Sequence, residues 1–350
     1  MGRHSSANES NLGVLEPTNP SLTTPPFTVK RKRVTLLSMP EHFQTALVLL
    51  AVWAVLVGAT SLDKGYFLSG QTVIAVGFTM ALVGVVAVAE ALYGMSGARL
   101  DLAIPAELIF SAYVVTVLLA HRWNIFLVVV AALVAGGTWG LITGCIIVFG
   151  KVTPIIVTLA TNLMGVAILE IAIKSEATMP VKSGLAQWGQ GISGGLPNVF
   201  WVMAALVATS GFLLPRTRLG QHVIAVGGNP VAAKLRGVSL ARTRFGVFIV
   251  SGVVVGLGGL LLAASVHSFV PADGSTYLLP GIAASLVAGV SLKGGTGNLW
   301  ILFLSIGFLS TVPVSMSFFG LSDIWQQVPP GAILIVAVAI EGIRSRRAVR

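Results

Sequence analysis

Long apolar stretches, separated by short polar or glycine-rich breaks, run through this chain from about residue 40 to near its last residues. A membrane-spanning helix needs about 20 mostly apolar residues. On that measure about ten segments qualify, centred near Val52, Leu82, Phe110, Val130, Thr161, Ala205, Val254, Ala284, Phe303 and Val336. The runs near Phe110 and Ala284 are weak, being short or interrupted by Pro or Glu. Broken or re-entrant backbone is tolerated at membrane depth only where protein covers it or it lines a cavity. The pattern therefore predicts an all-α integral membrane protein: a polytopic bundle of about ten transmembrane helices with some broken or re-entrant segments.

Residues 1–39 do not share this pattern. The first 33 are rich in Ser, Thr, Asn and Pro and end in Lys30-Arg31-Lys32-Arg33, a composition that cannot bury a core and reads as a disordered basic tail. A basic cluster before an apolar run resembles the start of a signal peptide. So many apolar segments follow, however, that a retained first helix is expected. Residues 40–345 then form one transmembrane domain, with a polar loop at about 215–245.

Composition supports the lipid reading. The 350 residues are 55% hydrophobic and 10% charged, against roughly 25% charged in soluble domains. The net charge of +10 would suit a nucleic-acid partner, but the cations cluster at the ends of apolar runs, as the positive-inside rule requires. Starting inside and crossing ten times leaves only Lys64, Arg122, Lys174 and Lys182 of the 22 Lys and Arg on the outer side. Both termini and the 215–245 loop are thus expected in the cytoplasm, and no nucleic-acid partner is expected. Cys145 is the single cysteine, so no intrachain disulfide can form.

The motifs of catalysis are missing. GCIIVFGKV (144–152) spaces its glycines by five residues and has Val152 where a phosphate loop needs Ser or Thr. Lys293-Gly294-Gly295-Thr296-Gly297 has the glycines without the order. The five histidines are scattered, without metal-ligand spacing. No catalytic residue, metal site or bound cofactor is expected, and any ATP must be hydrolysed by another chain. Gly136, Gly140 and Gly144 form one small-residue stripe, and Gly252 with Gly256 another. Such stripes serve as pore-lining or dimer faces, or close packing within one chain; the last is the expectation here. Glu90, Asp101, Glu107 and Glu170 lie in or beside apolar segments, where an acid is a candidate for a polar pathway. The alternative places Glu90, Asp101 or Glu107 at a helix end in interfacial water near Arg99. Loop 174–198, on the outer side, either docks a partner or merely connects helices.

Between two apolar runs, GGNPVAAKLRGVSLARTR (227–244) carries four cations and no acid. Asn229 before Pro230 suits a helix start, Val231 to Leu235 a short helix, and Gly237 its stop. A helix of about two turns is marginal alone, so a partner is expected to complete it.

At these residues the chain resembles the bacterial ABC-importer permeases of the ribose/monosaccharide type, within the branched-chain amino acid and sugar permease superfamily. Their pattern, roughly G-x-x-x-x-A-x-G-G-N-x-x-A-A-x-x-x-G-[IV], is matched by Gly220, Ala225, Gly227, Gly228, Asn229, Ala232, Ala233, Gly237 and Val238. LPGIAASLVAGVSLKGGTGNLWI (279–301), IWQQVPPGAILIVAVAIE (324–341) and KVTPIIVTLATNLMGVAI (151–168) are similar to further family segments. Where the family commonly has GGIDLSVG, residues 97–105 read GARLDLAIP, and only Leu100-Asp101-Leu102 survives. Arg99, Pro105, Glu90 and Glu107 depart from the usual pattern, which fits a divergent solute or a heterodimeric permease.

The resemblance implies a multi-pass permease subunit of the bacterial inner membrane, importing a sugar or sugar-like solute. Its partners would be a cytoplasmic ABC ATPase that uses the ATP, a second permease chain (homodimer or heterodimer), a periplasmic or extracellular solute-binding protein, and membrane lipid. Gly227, Gly228, Asn229, Ala232, Ala233 and Gly237 would couple to the ATPase, with Ala232 and Ala233 as the contact face. Glu90, Asp101, Glu107 and Asn162 are the candidates for the translocation pathway. Two other classes compete: an ion-gradient-driven secondary transporter, for which membrane carboxylates are the hint, and a membrane scaffold.

Overall fold

The structure is a computed structural model that describes residues 41–63, 67, 69–173 and 183–347, giving backbone alone at 41–45, 63, 323 and 340–347. The expected disordered tail and residues 174–182 of the outer loop lie outside the described residues. The described residues are almost entirely helical. They comprise α1 (Glu41–Asp63), α2 (Gly70–Met95), α3 (Ile104–Ala120), α4 (Ile125–Gly150), α5 (Pro154–Ile173), α6 (Gly184–Gly189) and α7 (Asn198–Leu213). After these come α8 (Arg218–Gly228), α9 (Pro230–Leu235), α10 (Leu240–Ser265), α11 (Gly274–Val287), α12 (Leu299–Phe318), α13 (Asp323–Gln326) and α14 (Val328–Arg347). One hairpin pairs β1 (Ile192–Ser193) with β2 (Leu196–Pro197).

Polar residues at the breaks set many helix starts. Ser69, Asn124, Thr217, Asn229, Ser239 and Asn298 each accept a hydrogen bond from a backbone N–H of the turn they open. Such caps satisfy donors that no helix can pair internally.

Each of the ten expected centres falls inside a helix. Among the described residues, α2, α4, α5, α10 and α12 are both long and apolar enough to cross a membrane, or six segments if α7 and α8 count as one span bent by 75°. Residues 46–62, 104–120 and 324–339 are shorter apolar helices. The all-α membrane architecture is therefore present, with five to six of the ten expected segments meeting the length and apolarity of a span among the described residues.

The core is built on α2 and α10. From Met80 to Met95 every residue of α2 is buried, surrounded by α7, α10, α11 and α12. The two central helices run antiparallel: Val85 packs at Gly258, the Ser251 hydroxyl points to the Ala89 carbonyl, and Arg244 reaches Gly97. Each is 26 residues long, each is followed by an eight-residue return (96–103 and 266–273), and each return leads into a short helix. The short helices are exchanged, α3 packing on α10 and α11 on α2. This is an inverted repeat, a common plan for transport proteins. Its short helices start against each other, since a Cβ at Gly274 would lie 2.5 Å from the Pro105 carbonyl oxygen. They are α3 and α11, the two runs that were weak in sequence.

The glycine stripes meet inside the chain. A Cβ at Gly136 would overlap the Gly252 carbonyl, one at Gly140 the Phe248 carbonyl, and one at Gly256 the Ala132 carbonyl. The stripes thus bring α4 onto α10 backbone to backbone, by the small-residue packing available to helices in lipid.

Candidate functional site

The polar loop folds into two helices rather than the single one expected. Thr217 caps α8, which buries Gly220, Val223, Val226 and Gly227 along one side. Spacings of three and four residues line these up on one face. Its exposed side carries Arg218, Gln221 and His222 together with Leu219 and Ile224, and its axis is bent 75° from α7. The three- and four-residue spacing is visible in GQHVIAVGG, and α8 takes in Gly227 and Gly228, the first two residues of the GGN motif.

Asn229 then ends α8 and begins α9. Its side-chain oxygen accepts from the Ala232 N–H at 2.9 Å, with Pro230 at the first helical position. At the other end Gly237 has φ +82°, its N–H bonding to the Lys234 carbonyl and that of Val238 to the Ala233 carbonyl, both at 3.0 Å. This pair of bonds is a complete Schellman closure, and its left-handed residue suits glycine.

The outward face of α9 differs from expectation. Ala233 is buried, 4% exposed, so it cannot be part of an external contact surface. Val231 and Leu235 are instead 69% and 85% exposed, with Ala232 exposed between them. Residues four apart share a helix face. Ala233 turns inward because Ala232 and Ala233 differ by about 100° around the helix, so both cannot face the same partner.

Gly227 and Gly228 act inward too. A Cβ at Gly227 would overlap the carbonyl of Met95, the last residue of α2, and would lie 2.5 Å from the Gly295 N–H nitrogen. That N–H donates to the same Met95 carbonyl at 2.9 Å. A Cβ at Gly295 would in turn overlap Gly228. The Lys293–Gly297 glycines, which lack phosphate-loop order, thus form the seat of the GGN motif. Residues 144–150 are α4 helix, with no loop to hold a phosphate. Arg244, one of the four cations, is half-buried beside Gly97, whereas Arg242 is exposed.

The membrane carboxylates are not in interfacial water. Glu90, Asp101 and Glu107 are each 1% exposed, while Arg99 is exposed. Glu90 Oε2 accepts from the Asp101 N–H at 3.4 Å, and Asp101 Oδ1 accepts from that of Ala103 at 2.8 Å. Asp101 thereby braces the return into α3. Glu107 points toward the α4–α10 glycine crossing, 2.8 Å from where a Cβ of Gly252 would stand, and neither of its oxygens has a hydrogen-bond partner. Glu170 is exposed in the last turn of α5.

Two cavities flank the turn at Pro271–Ser275. One of about 380 Å³ is lined by Asn162, Glu170, Pro105 and Ser275; the other, about 480 Å³, lies against α2, α11 and α12. Asn162 also accepts from the Ala106 N–H at 3.0 Å, capping α3 from α5. Of the four expected pathway residues, Asn162 lines the smaller of these two cavities. Glu90, Asp101 and Glu107 line neither of these two cavities; each is buried, on α2, in the 96–103 return and on α3 respectively.

Residues 72–338 match the family described as branched-chain amino acid transport system / permease component. The chain belongs to this permease family. Its relatives include the L-arabinose transport system permease protein AraH of Escherichia coli (strain K12), 30% identical over 305 residues, 85% of this chain and 90% of the relative. The galactose/methyl galactoside import permease protein MglC of Salmonella typhimurium (strain LT2) is 32% identical over 230 residues, 64% and 68% of the two chains. The ribose import permease protein RbsC of Haemophilus influenzae is 30% identical over 251 residues, 69% and 76%. No solved structure matches the chain.

In this permease the GGN motif, the end of α2 and the 291–298 turn form one glycine-to-glycine joint, and α9 hangs from it with two apolar side chains outward. That the two glycine-rich stretches touch was not legible, since they lie some 65 positions apart (227–228 against 294–295).

Proposed function

We propose that this chain is the membrane subunit of an ATP-driven importer for a sugar or sugar-like solute in a bacterial inner membrane. The observation that carries the reading is the α8–α9 unit: a short capped helix with Val231 and Leu235 exposed, set by backbone contacts against the end of α2. Force applied to a rigid element in close contact with a core helix is transmitted without loss to slack packing. A cytoplasmic ATPase that grips α9 would thereby move α2, the most enclosed helix of the fold. Three relatives named for three different sugars support the monosaccharide class. Family membership gives the ion-gradient alternative no support.

On this reading the ATPase lies on the cytoplasmic side, with both termini. A second permease copy or a related chain completes the pathway, and a solute-binding protein delivers the solute from outside. The α6 helix and β1–β2 hairpin are the described part of the outer loop offered to it, and Gly189 seats α6 on the end of α10 at Ala264. ATP is bound and hydrolysed by the ATPase alone. The test is to co-express the chain with its neighbouring ATPase and binding-protein genes, then to identify the solute that copurifies. A complex that assembles and takes up only non-sugar solutes overturns the substrate class. Failure of any ATPase to copurify overturns the importer.

A further inference from the structure

The larger cavity, about 480 Å³, falls within the range of roughly 300–1,000 Å³ typical of small-molecule sites. Its wall has an unusual source of hydrogen-bond acceptors. Pro280 lies inside α11 and Pro313 inside α12. A proline has no N–H for the carbonyl four residues before it. The carbonyls of Thr276 and Leu309 are therefore left without their helical donors, and both residues line this cavity together with the two prolines.

The side chains around these carbonyls are polar and largely uncharged. Thr79, Thr276, Ser317, Gln326 and Gln327 supply hydroxyls and amides. The Thr79 hydroxyl donates to the Ala75 carbonyl at 3.2 Å and that of Ser317 to the Val314 carbonyl at 2.7 Å, so toward the cavity both offer lone pairs. Asp273 is the one carboxylate on the wall, held by accepting from the Val270 N–H at 2.8 Å. Among the described residues the wall carries no Lys or Arg. An anionic solute would meet a carboxylate and no counter-charge, which costs several kcal/mol at low dielectric. A wall rich in acceptors with two amides matches a neutral ligand that presents many O–H donors. Tyr277 also lines this wall.

We infer that this cavity is the station on the transport path that recognises a neutral polyhydroxylated solute, with Thr276 and Gln327 as its specificity residues. Glu90, Asp101 and Glu107, lying off the cavity, take no part in recognition. The inference rests on the sugar-import reading and adds a location and a chemistry to it.

The test uses the assembled transporter in proteoliposomes: this chain with its ATPase and binding protein, and a panel of radiolabelled aldopentoses and aldohexoses. Thr276→Val keeps shape and removes a hydroxyl; Gln327→Leu removes an exposed amide. Uptake is read at matched amounts of copurified ATPase and saturating binding protein, so poor assembly does not enter the comparison. Each variant is expected to slow uptake of the preferred sugar about tenfold, the effect of leaving one polar group unpaired. The ranking of sugars is expected to change as well, which a purely structural defect would not cause. Wild-type rates and ranking in both variants overturn the site while leaving sugar import standing. A wild-type complex that imports none of the panel overturns the sugar reading, and the ligand class of this cavity with it.

Discussion

Arg99 holds φ +75° in the return after α2, a conformation that costs an L-residue with a side chain about 1–2 kcal/mol. A glycine at this position would carry no such cost. Arg99 is exposed, so no packing is lost on its removal. Arg99→Gly is therefore expected to stabilise the folded chain by about 1 kcal/mol, read as a higher unfolding midpoint in detergent; a lower midpoint overturns the argument. Gly227 is the opposite case, because its Cβ would overlap the Met95 carbonyl. Overpacking costs typically 1–3 kcal/mol, and backbone against backbone leaves little room to relax. Gly227→Ala should lower the midpoint where Gly228→Ala, with only a 3.7 Å contact to Gly295 Cα, lowers it less. Equal midpoints would show that the joint yields.

At the scale of elements, α9 separates folding from docking. Ala233 is buried and Leu235 exposed, so Ala233→Glu impairs the fold itself and says little about a partner. Leu235→Glu is the discriminating change: it is expected to abolish ATPase copurification at unchanged membrane levels, and normal copurification would remove α9 from the docking surface. The α4–α10 crossing answers to size alone. Gly140→Leu places a side chain into the Phe248 carbonyl, and a sharp fall in folded protein is expected. Leu141→Ala, one position away on an exposed face, should be tolerated. If both variants fold equally well, the crossing does not hold the core. Legibility differed between these two elements for a physical reason. A cap, a proline and a stop glycine act within a few residues, so Asn229, Pro230 and Gly237 could be placed without tertiary information. The direction in which Ala233 points depends on what packs beneath α9.

For the whole molecule, the sidedness of the charges makes the strongest statement. Of all Lys and Arg, only Lys64, Arg122, Lys174 and Lys182 are expected outside. Ser239→Cys in a Cys145→Ser background should therefore be labelled by a membrane-impermeant reagent only after the inner face is exposed. Labelling in intact cells would invert the topology. The central exchange of α3 and α11 gives that topology its structural meaning: two short helices begin against each other among α2 and α10, beside the two cavities.

Apolar run length, break chemistry and charge placement are properties of short windows, and these alone determined the membrane class, the helix positions, the expected sidedness and the capped helix at Asn229. The two weak runs were equally visible, since a proline or a carboxylate in an apolar segment stands out in any window. What faces what was decided only in three dimensions. Gly227 meets Gly295 across more than 60 residues, Gly136 meets Gly252 across more than 100, and Pro280 and Pro313, from two helices, line one cavity. In lipid, helices gain little from hiding apolar surface from one another, so no hydrophobic stripe marks the inner face. The partner of each glycine is fixed by close backbone approach, which exists only once the helices have packed.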